Sequence, residues 1–267
     1  MKKILALSCC CVDYFPELGE AKAGGNALNL AANAKSTGRA DAFLMGNIGT
    51  DEFGAAVIAK ADEYGINHER LHKIKGETAS NKIFLTESGD RYFKPESWSS
   101  GVYNKFCISS EDAAFMKTMD AVATTINDGL IEQIDPIFHD AFFLFAVDFM
   151  DRVPSDDWKR LFYSFDILFI SLGEKPEYLP LLKDWSHSYN NIFVATLGEG
   201  GSVAYHDGME YVCAAVKVPA VVDTTGCGDS YQGAFIVEYL HSRDISAAMV
   251  AGAKSAAKTL GFVGAIR

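Results

Sequence analysis

The chain has no Cys-x-x-Cys pair, no G-x-x-x-x-G-K-[ST] phosphate loop and no G-x-G-x-x-G between an early strand and helix. The missing Cys-x-x-Cys leaves reduced thiols as the simplest account, the missing phosphate loop excludes the common P-loop kinases, and the missing early glycine motif ranks a dinucleotide-binding oxidoreductase last. No apolar run approaches the ~18 residues that a membrane helix needs. The start, Met1-Lys2-Lys3 followed by Ile4-Leu5-Ala6-Leu7, mimics a secretion signal, but the run stops at Asp13 with no small-residue cleavage site, so it reads as a buried first strand. Basic residues are outnumbered 35 to 24, leaving a net charge of −11 with no basic stretch, which disfavours a polyanionic nucleic acid as partner. Only 7 of 267 residues are proline and no low-complexity segment occurs, so a linker between domains is not expected.

What is present is a full apolar core and a steady alternation. Hydrophobic residues make up 49% of the chain and charged ones 22%, a globular composition. Strands are expected at 3–8, 42–48, 120–126, 142–148, 166–171 and 191–197. Helices are expected at 26–37, ending at Gly38, at 51–64, ending at Gly65, and at 227–242 and 244–260. Strand alternating with helix points to an α/β fold: a mostly parallel central sheet with helices on both faces. Residues 78–95 break the rhythm and read as a hairpin turning at Glu87-Ser88-Gly89-Asp90. The expectation is one continuous domain over 1–267, with a small β-sheet lid formed by about 10–20 and 78–100. Exposed edges of such a sheet invite pairing with a second copy, so a homodimer through the lid is a natural expectation.

Six cysteines, three of them adjacent at Cys9, Cys10 and Cys11, make poor disulfide material, because neighbouring strand residues point to opposite faces. They read as reduced thiols of a cytoplasmic protein, buried as small apolar residues. His68-Glu69-Arg70-Leu71-His72 matches the zinc-protease string, which works only on a continuous helix. Gly65 has just closed a helix there, so a surface strand or loop is the better reading.

The strongest chemical signal is Asp223-Thr224-Thr225-Gly226-Cys227-Gly228-Asp229-Ser230 ahead of a helical pattern. Gly226 and Gly228 let the backbone approach a ligand, and the helix that follows turns its unpaired amides toward it, an anion hole for a phosphate. Asp229 falls in the first turn, where a carboxylate is favoured as the anion and expected to be ionised at neutral pH. Facing an alcohol, it would act as a general base. Gly233, one turn on, would let the helix approach a neighbour closely. Upstream, Thr196-Leu197-Gly198-Glu199-Gly200-Gly201 follows a strand, where open parallel sheets bind ligands. By itself it is an ordinary turn.

The string DTTGCGDS closely resembles the C-terminal signature of the PfkB/ribokinase sugar kinases, with Cys227 in place of the customary alanine. Gly24-Gly25-Asn26-Ala27-x-Asn29 and Gly46-Asn47-Ile48-Gly49-Thr50-Asp51-x-x-Gly54 look like the family's two N-terminal blocks, in the same order and spacing. The stretch ELGEAKAGGNALNLA, the Gly89-Asp90-Arg91 hairpin and Val147-Asp148-Phe149 before an aspartate-rich turn with Trp158 lean toward the branch that acts on fructoselysine. The resemblance implies a ribokinase-like fold and transfer of the γ-phosphoryl group of ATP, with Mg²⁺, to a hydroxyl of a sugar or fructosamine. An ordinary sugar or nucleoside as acceptor stays open, as does a non-catalytic sensor of sugar or nucleotide on the same fold. By position, Asp229 would be the base and Gly226, Cys227 and Gly228 the anion hole. Asp13, Gly25, Asn26 and Asn29 would hold sugar hydroxyls, with Gly24 and Gly25 as a hinge and Arg91 near the substrate mouth. Thr196, Gly198 and Gly201 would line the nucleotide, and Ala253 and Ala256 would face the adenine. The family's N-x-x-E metal motif reads Ser171-Leu172-Gly173-Glu174 here: Glu174 keeps its place and would organise Mg²⁺ through water, while the asparagine is lost. Asp223 and Thr225 match part of a K⁺ site, and K⁺ stays open.

Overall fold

The computed structural model describes residues 1–17, 19–85, 91–92, 94–173 and 175–267; for residues 85, 91, 92 and 128 it describes the backbone alone. In chain order the elements begin with strands β1 (Lys2–Leu7), β2 (Cys11–Phe15) and β3 (Glu20–Gly24), then helix α1 (Asn26–Ser36). Strand β4 (Ala40–Gly49), helix α2 (Glu52–Tyr64) and strand β5 (Asn67–Ile74) follow. Four short strands come next: β6 (Ser80–Lys82), β7 (Phe84–Leu85), β8 (Arg91–Tyr92) and β9 (Trp98–Ser99). Helix α3 (Ser110–Met116), strand β10 (Ala121–Thr125), helix α4 (Ile131–Phe138), strands β11 (Leu144–Asp148) and β12 (Ile167–Ser171), and helix α5 (Leu179–Ser188) continue the alternation. Strands β13 (Ile192–Thr196), β14 (Ser202–His206) and β15 (Met209–Cys213) precede the closing helices α6 (Cys227–Ser242) and α7 (Ile245–Thr259).

Nine strands form one sheet in the order β15-β14-β13-β12-β11-β10-β1-β4-β5. The run from β5 to β13 is parallel, and β14 and β15 add an antiparallel edge. Parallel strands covered on both faces need unbroken apolar sequence rather than alternation. ILAL of β1, ILFI of β12 and IFVA of β13 supply it, and every one of these residues is buried. Two cores result, one on each face. The first joins α1, α6 and α7 to the sheet through small residues such as Ala31, Ala34 and Ala248 together with Phe235. The second is aromatic, built on Phe145, Phe149, Phe162, Trp185 and Phe193. A separate four-stranded sheet, β3-β2-β6-β9, and the two-stranded ribbon β7-β8 complete the structure. Among the described residues no helix is long and apolar enough to cross a membrane.

The expected helices form within one or two residues of their signals. Asp51 caps α2 by accepting from the Gly54 amide at 3.0 Å, and Gly65 ends it at φ 63°. Three strands escaped the sequence pattern. β3 is rich in alanine, lysine and glycine, which have low strand propensity, and it forms because it pairs along the whole of β2. The hairpin β14-β15 was likewise unforeseen. The zinc-protease string lies on strand β5, where residues four apart are separated by about 13 Å. His68 meets Asp62 and His72 meets Asp112, so the two imidazoles serve different carboxylates. The expected turn at Glu87-Ser88-Gly89-Asp90 lies outside the described residues; its flanks pair Phe84 with Tyr92 and Leu85 with Arg91.

Helix α6 approaches α1 closely because residue 233 lacks a side chain. A Cβ there would stand 2.7 Å from the Leu30 carbonyl oxygen and 3.1 Å from the Ala34 amide nitrogen, both backbone atoms that cannot swing away. Gly233→Ala is expected to force the helices apart and destabilise the protein by about 1–3 kcal/mol, as overpacking does. Chemical denaturation read by circular dichroism measures it; an unchanged midpoint would show the helix contact to be slack.

Candidate active site

Three elements converge at one end of the sheet: the N-terminus of α1, the N-terminus of α6 and the carboxyl end of β11. Gly25 precedes α1 at φ 89°, a conformation that favours glycine, and a Cβ there would lie 2.5 Å from the Cys9 carbonyl oxygen. Glycine therefore lets α1 start hard against the exit of β1. That start places Asn26 and Asn29 toward α6, where each donates its side-chain amide to a different oxygen of Asp229, at 3.0 and 2.9 Å. Asp229 is only 7% exposed.

Gly226 precedes α6 at φ 72°, and no side chain caps the helix. The first-turn amides of such a helix face outward. A Cβ at Gly228 would meet open space, whereas one at Gly226 would lie 2.1 Å from the Ala265 Cβ. The turn is thus closed behind by the C-terminal segment and open in front. Asp223 fixes it: its two carboxylate oxygens accept from the backbone amides of Thr225, at 2.8 Å, and of Gly264, at 2.7 Å. Cys227 puts its thiol 3.8 Å from the Ala256 carbonyl, and burial with the nearby Asp223 and Asp229 pushes it up to about 11, so it is a neutral thiol.

Asp229 does not carry the ionisation expected of a helix N-terminus. Its carboxyl is pushed up to about 7. Loss of water on burial is the main cause, and the Asp148 and Asp13 charges add to it, against the two asparagine donors. Asp148 ends β11, is itself buried, and has its carboxyl raised by burial, opposed by a hydrogen bond from Gln232. Among the described residues neither Asp148 nor Asp229 has an ion-pair partner. A carboxyl poised near neutral pH is well matched to accept a proton from an alcohol.

In front of this cluster lies a cavity of about 770 Å³. Its walls include Ser8 and Cys9 after β1, Cys11 of β2, Asn26 of α1, Asn81 and Trp98 of the small sheet with Ser100 just past it, Thr125 at the end of β10, Asn127 beyond it, and Met150 and Arg152 after β11. Asn26 is shared: it lines the cavity and binds the buried carboxylate. Among the described residues the Asn29 side-chain oxygen, sealed from solvent, has no hydrogen-bond partner.

The residues foreseen from sequence fall into three groups. Asp229, Asn26, Asn29, Gly25, Gly226, Cys227 and Gly228 come together, and Asp13 joins them on β2, where its carboxylate would lie 3.8 Å from a Cβ at Gly24. Thr196 ends β13 and Gly198 opens the turn after it, while a Cβ at Gly201 would strike the Cys213 carbonyl oxygen at 2.2 Å, so that glycine is needed for packing. Ala253 and Ala256 sit half-buried on α7, which packs on β15. The side chain of Arg91 and the whole of Glu174 lie outside the described residues. Sequence reasoning missed Asp148, although an acid at the carboxyl end of a buried strand is a usable signal. It also missed Asn127 and Arg152, which lie between the regular strands and helices, and Trp98, on the two-residue strand β9; none carries a local pattern.

A family model described as pfkB family carbohydrate kinase matches residues 19–267. The chain is 32% identical to a fructoselysine 6-kinase of Shigella flexneri, covering 99% of this chain and 100% of that one. It is 26% identical to a fructosamine kinase of Bacillus subtilis, covering 98% and 92%. Among solved structures, Arabidopsis thaliana ribokinase, described as complexed with ribose and ATP, superposes with a TM-score of 0.81 at 20% identity, covering 99% of this chain and 94% of that one.

The raised carboxyl has a consequence for stability. A folded-state pKa above the ordinary 3.8 means that the contribution of Asp229 is intact below about pH 4 and is lost as pH rises toward 7. Asp229→Asn removes this titration. Its melting temperature relative to the wild type is therefore expected to climb between pH 4 and 7 and then level off. A pH-independent difference would place the carboxyl at its ordinary value.

Proposed function

The chain belongs to the pfkB family of carbohydrate kinases, and from that premise we propose that it transfers the γ-phosphoryl group of ATP to a hydroxyl of a fructosamine, best described as a 6-kinase of fructoselysine. The observation that carries the reaction type is the buried Asp229, held by two asparagine amides beside the uncapped N-terminus of α6 and next to a cavity large enough for the acceptor. The relatives with the highest identity named above support the fructosamine acceptor.

In this reading the amide donors of Asn26 and Asn29 fix the plane of the Asp229 carboxylate, and Asn26, which also lines the cavity, meets the sugar. Asp229 takes the proton of the attacking hydroxyl, while the amides of the turn at Gly226, Cys227 and Gly228 meet the charge that grows on the migrating phosphoryl group. Thr196, Gly198 and Gly201 border the nucleotide phosphates, and Ala253 and Ala256 lie against the base. Asp13 and Arg91 contact the sugar, and the small sheet covers the cavity so that water does not compete. Mg²⁺, when bound, would neutralise phosphate charge. It is typically held by phosphates and water with one or two carboxylates. The exposed Ser171 hydroxyl offers a hard oxygen that fits such a water-mediated hold, and Glu174 is the carboxylate proposed to join it. We assign no role to K⁺.

A coupled assay for ADP release across fructoselysine, glucoselysine, fructose, ribose and adenosine tests the proposal. Fructoselysine is expected to give the highest kcat/KM. Asp229→Asn is expected to lower turnover by roughly 10²- to 10⁴-fold. A variant with wild-type turnover would remove Asp229 from the role of base. Because the base works as the anion, kcat/KM is expected to fall as pH drops below about 7. Asp148→Asn removes a like charge and is expected to move that acid limb to lower pH; a limb that stays put would show that Asp148 does not influence the base.

A further inference from the structure

The cavity is larger than the proposed chemistry at a sugar hydroxyl requires. At about 770 Å³ it falls in the range of sites for drug-sized ligands. Among the described residues that line it, Arg152 alone is charged, in a chain whose net charge is −11. A neutral sugar presents no anion for it.

The guanidinium is held in place. Its Nε donates to the Asn127 side-chain oxygen at 3.0 Å, and its Nη2 donates to the same oxygen. Among the described residues its other N–H groups have no carboxylate within ion-pair distance. Asn127 in turn touches the Met150 sulfur through its amide nitrogen. Met150 adopts φ 57°, the left-handed region, which a residue with a long side chain enters only when its surroundings impose it. Two hydrogen bonds do so. The Met150 amide donates to Asp148 Oδ1 at 2.7 Å, and its carbonyl accepts from the Ser171 amide at 2.6 Å. The turn that carries Arg152 into the cavity wall is therefore braced from both neighbouring strands. Across the opening stands Trp98, 50% exposed, on an edge strand of the small sheet.

We propose that Arg152, oriented by Asn127, is a carboxylate subsite that recognises the amino-acid portion of the substrate, with Trp98 flanking the alkyl chain and amine between sugar and carboxylate. This rests on the fructosamine reading given above. A planar guanidinium pairs with a carboxylate through two parallel hydrogen bonds, which gives both strength and orientation. The secondary amine of a fructosamine is cationic, and an exposed indole face suits a cation.

The test compares two acceptors: fructosyl-lysine linked through its side-chain nitrogen, and the fructosamine of 1,5-diaminopentane, the same molecule without its carboxylate. The quantity read is the ratio of their kcat/KM values. The wild type is expected to favour the carboxylated acceptor by roughly 10- to 100-fold, the usual scale of a charge-assisted hydrogen-bond pair. Arg152→Ala is expected to bring the ratio close to one, Arg152→Lys to retain part of it, and Arg152→Glu to invert it, with melting curves confirming that each variant is folded. A ratio near one in the wild type, or a ratio unmoved by Arg152→Ala, overturns the subsite and leaves the kinase reading intact. Turnover of fructose without turnover of either fructosamine overturns the substrate reading, and the subsite falls with it. A wild type that prefers fructose 1-phosphate to fructosyl-lysine also overturns it, since the anion met by Arg152 would then be a phosphate.

Discussion

Two asparagine amides gripping one buried carboxylate are the constraint around which the active end is built. Asn26, Asn29 and Asn33 recur at three- and four-residue intervals, so they line one face of α1. Opposite them on α6 stand Asp229 and Ser230, whose hydroxyl donates to the Asn33 oxygen at 3.0 Å and lies 2.7 Å from the Ser255 hydroxyl of α7. This polar seam runs through an otherwise apolar interface. It costs desolvation at every group and is tolerable only because nearly all of them are paired. In return it fixes the rotation of α1 against α6, which packing of alanines alone would leave loose. The backbone contact at Gly233 sets how close the helices come; the seam sets their register.

The electrostatics follow from the same arrangement. Asp229 is bound by neutral amides and has no cation nearby among the described residues, so nothing offsets the loss of water except hydrogen bonds and the end of the helix. Asp148 and Asp13 add negative potential. A lysine or arginine partner would have held the carboxylate ionised but would have made it a feeble base. Asp148 is the more economical element here, because it acts twice: it raises Asp229 from one side, and through its hydrogen bond to the Met150 amide it shapes the turn that enters the cavity wall.

Much of this was legible in the sequence where the cause is local. Gly38 and Gly65 mark helix ends, Asp51 marks a helix start, and the apolar runs of β1, β12 and β13 mark buried parallel strands. The turn at Gly226-Cys227-Gly228 ahead of α6 was readable because glycine spacing and a helix start are both short-range features. Asp229 was identified by position, but its ionisation was misjudged. The helix end is visible in sequence, whereas burial and the approach of Asp148, eighty-one residues away by numbering, are tertiary. β3 escaped because its residues are poor strand formers that β2 recruits through backbone pairing. Arg152 escaped because its significance lies in a cavity assembled from six separate segments.

The route of the chain couples the small sheet to the base. β1 leaves the large sheet and enters β2 after only Ser8, Cys9 and Cys10, all buried, with no flexible linker. The return path leaves β3 at Gly24 and starts α1 at Asn26. The two crossings lie side by side: the Ala27 amide donates to the Cys9 carbonyl at 3.2 Å, and Gly25 has no room for a Cβ against that same carbonyl. A displacement of the small sheet must therefore be absorbed within a few bonds of Asn26 and Asn29. Since those two side chains hold the Asp229 carboxylate, the position of the sheet over the cavity and the alignment of the carboxylate are mechanically one variable. In the proposed reaction, covering the acceptor and orienting the proposed base would need no separate signal between them.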